Sequence, residues 1–184
     1  MMDFEYIKIY TEEEFENIQS NYNGKAEYDN GIILLSSNTS ISHNRIKRRI
    51  LSKLDNYFSG TKYEPFDEQI EVIFKSENDI RKYKPDVFVM CEDAKRQGES
   101  FTSPPKLIFE VVSRSTSDHD YITKLAIYQK FGVREYNIVE QSGKIIQYSL
   151  VDNKYTISDV FKNNDEYIST AFPDLRINLK CIFE

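Results

Sequence analysis

Two apolar runs decide how this chain folds: Pro85-Asp86-Val87-Phe88-Val89-Met90-Cys91 and Leu107-Ile108-Phe109-Glu110-Val111-Val112. Both are rich in β-branched and aromatic residues on alternate positions of either parity, the pattern of strands buried on both faces. Each run also carries one carboxylate, Asp86 or Glu110. A lone buried carboxylate is costly unless it is paired or binds a metal. If the two strands form a hairpin centred near Gly98, Asp86 and Glu110 fall opposite each other, with β-carbons about 5 Å apart. Like charges at that distance repel, and a divalent cation between them relieves the repulsion. The plainer alternatives are a solvent-facing strand start for Asp86 and an exposed edge position for Glu110. The apolar neighbours Phe109 and Val111 favour the functional reading.

Working outward, Thr11 to Ser20 reads as a short helix with Thr11 and Glu14 as a capping box. Asp29-Asn30-Gly31 is a type I′ turn signal between two strands of a hairpin. A helix is expected from about Ser42 to Phe58, with Ile46, Ile50, Leu51, Leu54 and Phe58 at helical spacing. A strand over Glu68 to Phe74 and a polar turn over Lys75 to Ile80 precede the first apolar run. After the second run comes a hydroxyl-rich loop from Ser113 to Asp118. A helix then follows over His119 to Phe131, with Ile122, Leu125, Ala126 and Tyr128 on its core side and Gly132 ending it. Strands are expected over 135–140, 144–150 and 154–161, and the tail packs as a closing turn or short helix. This order predicts a mixed α/β or α+β fold, a central mixed β-sheet flanked by helices with an N-terminal β-hairpin, in one domain spanning residues 1–184.

With 184 residues, a net charge of −6 and 13 Tyr and 12 Phe, the chain can build one aromatic-rich core. The acidic balance argues against indiscriminate nucleic-acid binding over the whole surface but not against a local basic cleft. The two cysteines, Cys91 and Cys181, lack metal-ligand spacing. No transmembrane run or signal pattern is seen, so a cytoplasmic protein with no membrane partner is expected.

Phosphodiester hydrolysis needs an activated water, charge stabilisation at phosphorus and help for the leaving oxygen, and carboxylate-bound Mg²⁺ or Mn²⁺ can provide these. Asp86 and Glu110 are the candidate ligands, with the Val111 carbonyl as a further one. A lysine two residues after Glu110 would complete the nuclease pattern Pro-Asp…Asp/Glu-x-Lys, but Val112 stands there. The nearest candidate is Lys124, on a helix that can cross back over the sheet; the alternative is a surface i,i+4 pair with Asp120. Glu27 is either a further acidic ligand or a surface strand residue. His43 could approach a phosphate or act as a base, but capping of its helix is the preferred reading. Ser113 and Thr116 could touch phosphate or cap the next helix. Arg45, Arg48 and Arg49 could track a nucleic-acid backbone, although a solvated helix face explains them more simply. Arg81, Lys82 and Lys84, just upstream of Asp86, are the better placed for phosphate.

Several of these pieces form an ordered set: Pro85-Asp86-Val87; Phe109-Glu110-Val111-Val112-Ser113-x-Ser115-Thr116; Asp120-x-x-x-Lys124-Leu125-x-x-Tyr128; and Gly132-Val133-x-Glu135-Tyr136. The set resembles the Uma-two family of restriction endonuclease-like proteins in the PD-(D/E)XK nuclease superfamily. Glu27-Tyr28-x-Asn30-Gly31, His43, Phe172-Pro173-x-Leu175 and Leu179-x-x-Ile182-Phe183 extend the likeness over most of the chain from about Glu27. The chain departs at Arg114, where the family often has proline. The resemblance implies a restriction-endonuclease-like fold, metal ligands at Asp86 and Glu110, a lysine displaced onto the helix at Lys124, a Mg²⁺ or Mn²⁺ cofactor and DNA as substrate. A two-fold homodimer would supply two active sites for double-strand cutting. The other reading is a protein of this fold that binds nucleic acid or a protein partner without cutting.

Overall fold

The structure is a computed structural model that describes residues 8–37, 39–112 and 119–184. In chain order the elements are α1 (Glu12–Asn21), β1 (Lys25–Asp29), β2 (Ile32–Ser36), α2 (Ile41–Phe58), β3 (Tyr63–Asp67), β4 (Val72–Ser76), β5 (Asp79–Tyr83), β6 (Val87–Cys91), β7 (Arg96–Gln97), β8 (Ser100–Phe101) and β9 (Leu107–Val112). A π-helical segment, His119–Lys124, runs directly into α3 (Leu125–Lys130), followed by β10 (Glu135–Glu140), β11 (Lys144–Val151), β12 (Lys154–Lys162), β13 (Glu166–Ile168), β14 (Arg176–Asn178) and α4 (Lys180–Phe183).

The strands divide between two six-stranded sheets rather than one, ordered β2-β1-β5-β4-β8-β7 and β12-β11-β10-β9-β6-β3, with β13 and β14 as a separate pair. The second sheet carries the two apolar runs. β6 and β9 pair antiparallel in the register Val87↔Phe109, Phe88↔Ile108, Val89↔Leu107. Continued by one residue, that register sets Asp86 against Glu110, as the centre at Gly98 requires. Gly98 itself has φ of 60° and sits in the small β7–β8 hairpin inside the connection.

β9 and β10 pair in parallel. A parallel pair cannot be closed by a tight turn; the chain must cross over a sheet face to begin the next strand. The π-helical segment and α3 form that crossover, which is why a residue on it reaches Glu110 on the strand beneath. The two faces of β9 are buried differently. Leu107, Phe109 and Val111 join a core with Ile46, Ile50, Leu54 and Phe58 of α2. Ile108 and Val112 join the other core, with Ile127 and Tyr128 of α3 and Val72, Phe74 and Tyr83 of the first sheet. Glu110 alternates with the second set and so faces the crossover helix.

Four local differences from the sequence-based expectation have physical causes. β3 contains Pro65, which disguises a strand; it lies at a sheet edge, where the missing N–H costs no ladder bond. The turn expected over 75–80 is confined to Glu77-Asn78, because β5 is a polar strand whose charges are paired by neighbours. The helix expected from His119 begins as a π-helix, whose extra residue per turn rotates the faces: Ile122 is exposed, while Asp120 and Lys124 are buried. The tail adds the β13–β14 pair before the short helix. The N-terminal hairpin is as expected, with Asn30 (φ 47°) and Gly31 (φ 98°) both in the left-handed region that a type I′ turn demands.

Leu54, fully buried between α2 and the second sheet, gives a direct test of this packing. Leu54→Ala should destabilise the protein by about 2–5 kcal/mol, whereas the exposed Lys53→Ala should change stability by no more than about 0.5 kcal/mol. Urea unfolding followed by circular dichroism would measure both.

Candidate active site

Asp86 sits just before β6, after a proline that fixes its entry, and it is 5% exposed. Its Oδ2 accepts the Val111 N–H at 2.8 Å and lies 3.0 Å from His43 Nε2. Its Oδ1 lies 3.3 Å from Lys25 Nζ. The Asp86 N–H in turn donates to Glu110 Oε2 at 3.3 Å. Glu110 Oε1 accepts from Lys124 Nζ at 2.9 Å and from the Tyr128 hydroxyl at 2.8 Å. Glu27, brought in by β1, accepts from Lys124 Nζ at 3.2 Å and from the Lys84 backbone N–H at 2.8 Å. Lys124 also lies 3.5 Å from Asp120 Oδ1, so the i,i+4 pair exists, but buried inside the cluster rather than on a solvent face.

Four carboxylates thus converge on two ammonium groups and one imidazole, beside a cavity of about 470 Å³ lined by Lys25, Glu27, His43, Asp86, Glu110 and Lys124 among others. Burial opposes the charge on Asp86, but Lys25 and His43 outweigh it and hold its carboxyl well below the usual range. Glu27 is likewise lowered, against burial, by Lys124 and Lys25. Burial dominates at Glu110 and pushes it up to about 7 despite Lys124 and Lys25. Of Asp86, Glu27 and Glu110, it is therefore the carboxylate whose charge is held least firmly. His43 is raised by Asp86 against burial. His119, on the cavity wall, is pushed down to about 4 by burial and by Lys124.

The donor chemistry fits a hard divalent ion. Mg²⁺ is commonly held by one or two carboxylates with water completing its shell, and carboxylate and carbonyl oxygens are its preferred ligands. Asp86 and Glu110 supply two such groups. The excess of carboxylates over ammonium groups is a charge imbalance that a divalent ion corrects. Among the described residues no three carboxylate, imidazole or thiolate side chains form a ready-made metal cage. An ion would therefore keep much of its water.

The other candidates are placed as follows. Ser40, not His43, caps α2, accepting the His43 backbone N–H at 3.1 Å; the His43 ring turns inward to Asp86 because it lies on the buried stripe of that helix. Lys47 is buried on the same stripe and pairs with Glu68. Arg45 and Arg48 are exposed on α2 beside Thr39 and Ser40 at the cavity rim, while Arg49 donates to the Ile182 carbonyl. Arg81 pairs with Asp29 and Asp79, and Lys82 is buried under α1 against Glu12 and Glu16. Both side chains are held in ion pairs that are not part of the carboxylate cluster. Lys84 is partly buried, and its backbone rather than a side-chain contact joins the site. Ser113 and Thr116 lie outside the described residues. Lys25 was not a sequence candidate: it precedes Glu27 by two positions, so the same strand face carries both, but only the fold brings Asp86 to it.

The sequence profile of the Uma2 family, described as "putative restriction endonuclease", matches residues 12–180. The chain belongs to the Uma2 family. An uncharacterized protein of Synechocystis sp. (strain ATCC 27184 / PCC 6803 / Kazusa) is 27% identical over 172 residues, covering 90% of this chain and 96% of that protein. The crystal structure of a "putative nuclease belonging to DUF820" from Anabaena variabilis ATCC 29413 superposes with a TM-score of 0.68 at 15% identity, over 86% of this chain and 89% of that one. That likeness establishes the mixed α+β fold, with central sheets flanked by helices. Uma2 membership and the nuclease-like fold together support a nuclease function for this chain. Among the described residues no helix is long and apolar enough to cross a membrane.

The His119 environment gives a signed pH prediction. Its folded pKa lies at about 4, below the usual histidine value of 6.5, so between about pH 6.5 and 4 the unfolded chain binds the extra proton and stability falls as pH falls. His119→Gln should flatten the stability profile in that window and leave it unchanged above pH 7.5, as read from urea midpoints of the two proteins across pH.

Proposed function

We propose that this Uma2 protein is a Mg²⁺- or Mn²⁺-dependent endonuclease that hydrolyses DNA phosphodiester bonds at the Asp86–Glu110 pair. The observation that carries the reading is the opposition of two buried carboxylates at the mouth of β6 and β9, with a lysine from the β9–β10 crossover bonded to one of them. Asp86 and Glu110, with the Val111 carbonyl, would hold the ion. When bound, it would supply Lewis-acid polarisation of the phosphate and a more acidic water.

The protein's own groups do the rest. The Val111 N–H and His43 fix the rotation of Asp86, and Tyr128 and Lys124 fix that of Glu110. Lys124 is paired with three carboxylates, Glu27, Glu110 and Asp120, so it lessens the repulsion that the acidic cluster would exert on an incoming phosphate. In the reaction one water oxygen bonds to phosphorus, one P–O ester bond breaks, and the leaving oxygen takes up a proton. Exposed Arg45 and Arg48, at the rim beside Thr39 and Ser40, extend a positive path from the cavity along α2 for the DNA backbone. The net charge of −6 confines binding to such a local path.

The test is cleavage of supercoiled and linear DNA with Mn²⁺ or Mg²⁺. Asp86→Asn and Glu110→Gln should each lower cutting by at least about 10²-fold while the proteins remain folded. Arg45→Ala with Arg48→Ala should weaken DNA binding at low salt and flatten its salt dependence, because each lost phosphate contact removes about 0.9 from the slope of log K on log[salt]. Binding of DNA without cutting by well-folded wild type, over a range of metals and DNA forms, would instead support a binding-only role.

A further inference from the structure

We infer that Lys25, not Lys124, is the lysine that contacts the scissile phosphate, and that Lys124 is a positioning residue that holds the carboxylates. The inference rests on the nuclease reading of this site and assigns its two lysines separate tasks.

An ammonium group has three N–H donors. Lys124 Nζ has three carboxylate neighbours, Glu110 at 2.9 Å, Glu27 at 3.2 Å and Asp120 at 3.5 Å, and its side chain is only 2% exposed. Two of its donors are hydrogen-bonded to Glu110 and Glu27, and the group also faces Asp120. For Lys124 to reach a phosphate it would have to release a buried carboxylate, leaving that charge uncompensated. Lys25 is arranged differently. Asp86 Oδ1 lies 3.3 Å away and Glu27 Oε1 3.7 Å away, the second beyond hydrogen-bond length. Its side chain is 20% exposed and forms part of the cavity wall. Among the described residues only Asp86 is within hydrogen-bonding reach of Lys25 Nζ, and the group borders the space a substrate would occupy.

The strand explains the arrangement. Lys25 and Glu27 are two residues apart on β1 and so project from the same face. Glu27, deeper along the strand, meets Lys124, while Lys25, at the strand start, reaches the cavity. Lys25 also touches Asp86, a residue that would hold a bound ion. Its positive charge therefore disfavours the ion while favouring the phosphate, and the two effects of removing it have opposite signs.

The test compares wild type, Lys25→Met, Lys25→Arg and Lys124→Met in three measurements: Mn²⁺ affinity by calorimetry, melting of the metal-free protein, and single-turnover cleavage of supercoiled plasmid with Mn²⁺. Lys25→Met is expected to bind Mn²⁺ at least as tightly as wild type yet cut at least about 10²-fold more slowly, and Lys25→Arg to recover much of that loss. Lys124→Met is expected to lower the melting temperature of the metal-free protein, because the buried carboxylates lose their shared partner. Unchanged cutting by Lys25→Met, or cutting that falls only in step with lost Mn²⁺ binding, would overturn the assignment and leave the nuclease reading intact. A folded wild type that binds Mn²⁺ but cuts no DNA would overturn both.

Discussion

Two buried carboxylates held face to face by strand register are the constraint around which the rest of this structure is arranged. The β6–β9 pairing, continued by one residue, sets the backbones of Asp86 and Glu110 opposite each other. Net protein stability is only about 5–15 kcal/mol, so two uncompensated buried charges would be hard to tolerate. The compensation comes from every side: the Val111 N–H and His43 at Asp86, Tyr128 and the Asp86 N–H at Glu110, and Lys25 and Lys124 between these groups and Glu27. The N-terminal hairpin, α2 and the crossover helix each contribute a group to this cluster, so the site is also where the separate parts of the chain are tied together.

Another buried carboxylate, Glu135, shows what a purely structural solution looks like in the same protein. It is fully buried on β10, and its oxygens accept from Asn137, Gln147, Tyr167, Ser169, Thr170 and the Ala171 N–H. These donors are neutral and fixed, and they bind the C-terminal segment to the sheet. The Asp86–Glu110 site is compensated instead by ammonium and imidazole groups beside an open cavity. Lysine side chains are flexible point charges, which can yield to a metal ion or a phosphate, whereas the shell around Glu135 has no comparable freedom.

The legibility of the site in the sequence followed from how local each cause was. The Asp86–Glu110 opposition could be read because a hairpin register depends only on where its centre lies, here Gly98. The involvement of Lys124 could be suspected, but its contact with Glu110 depends on the parallel pairing of β9 and β10, which periodicity does not reveal. The π-helical start of the crossover was hidden as well, and with it the burial of Asp120 and the exposure of Ile122. Arg81 and Lys82 are near Asp86 along the chain, but β5 presents them to Asp29, Asp79, Glu12 and Glu16, partners that only the fold reveals. Lys25 was missed because its partner Asp86 is 61 positions away. The edge strand β3 was concealed by Pro65, and β5 by a polar composition that only tertiary ion pairs make compatible with a sheet interior.

The proposed nuclease chemistry requires a divalent cation in the space between Asp86 and Glu110. Diffraction from crystals soaked in Mn²⁺, with anomalous differences collected at the manganese edge, tests it most directly. A cation held there would give a peak within coordinating distance of Asp86 and Glu110 oxygens, with Lys25 moved off Asp86. A well-ordered soaked crystal with no peak there, and with Lys25 still against Asp86 and Lys124 still against Glu110, would contradict it.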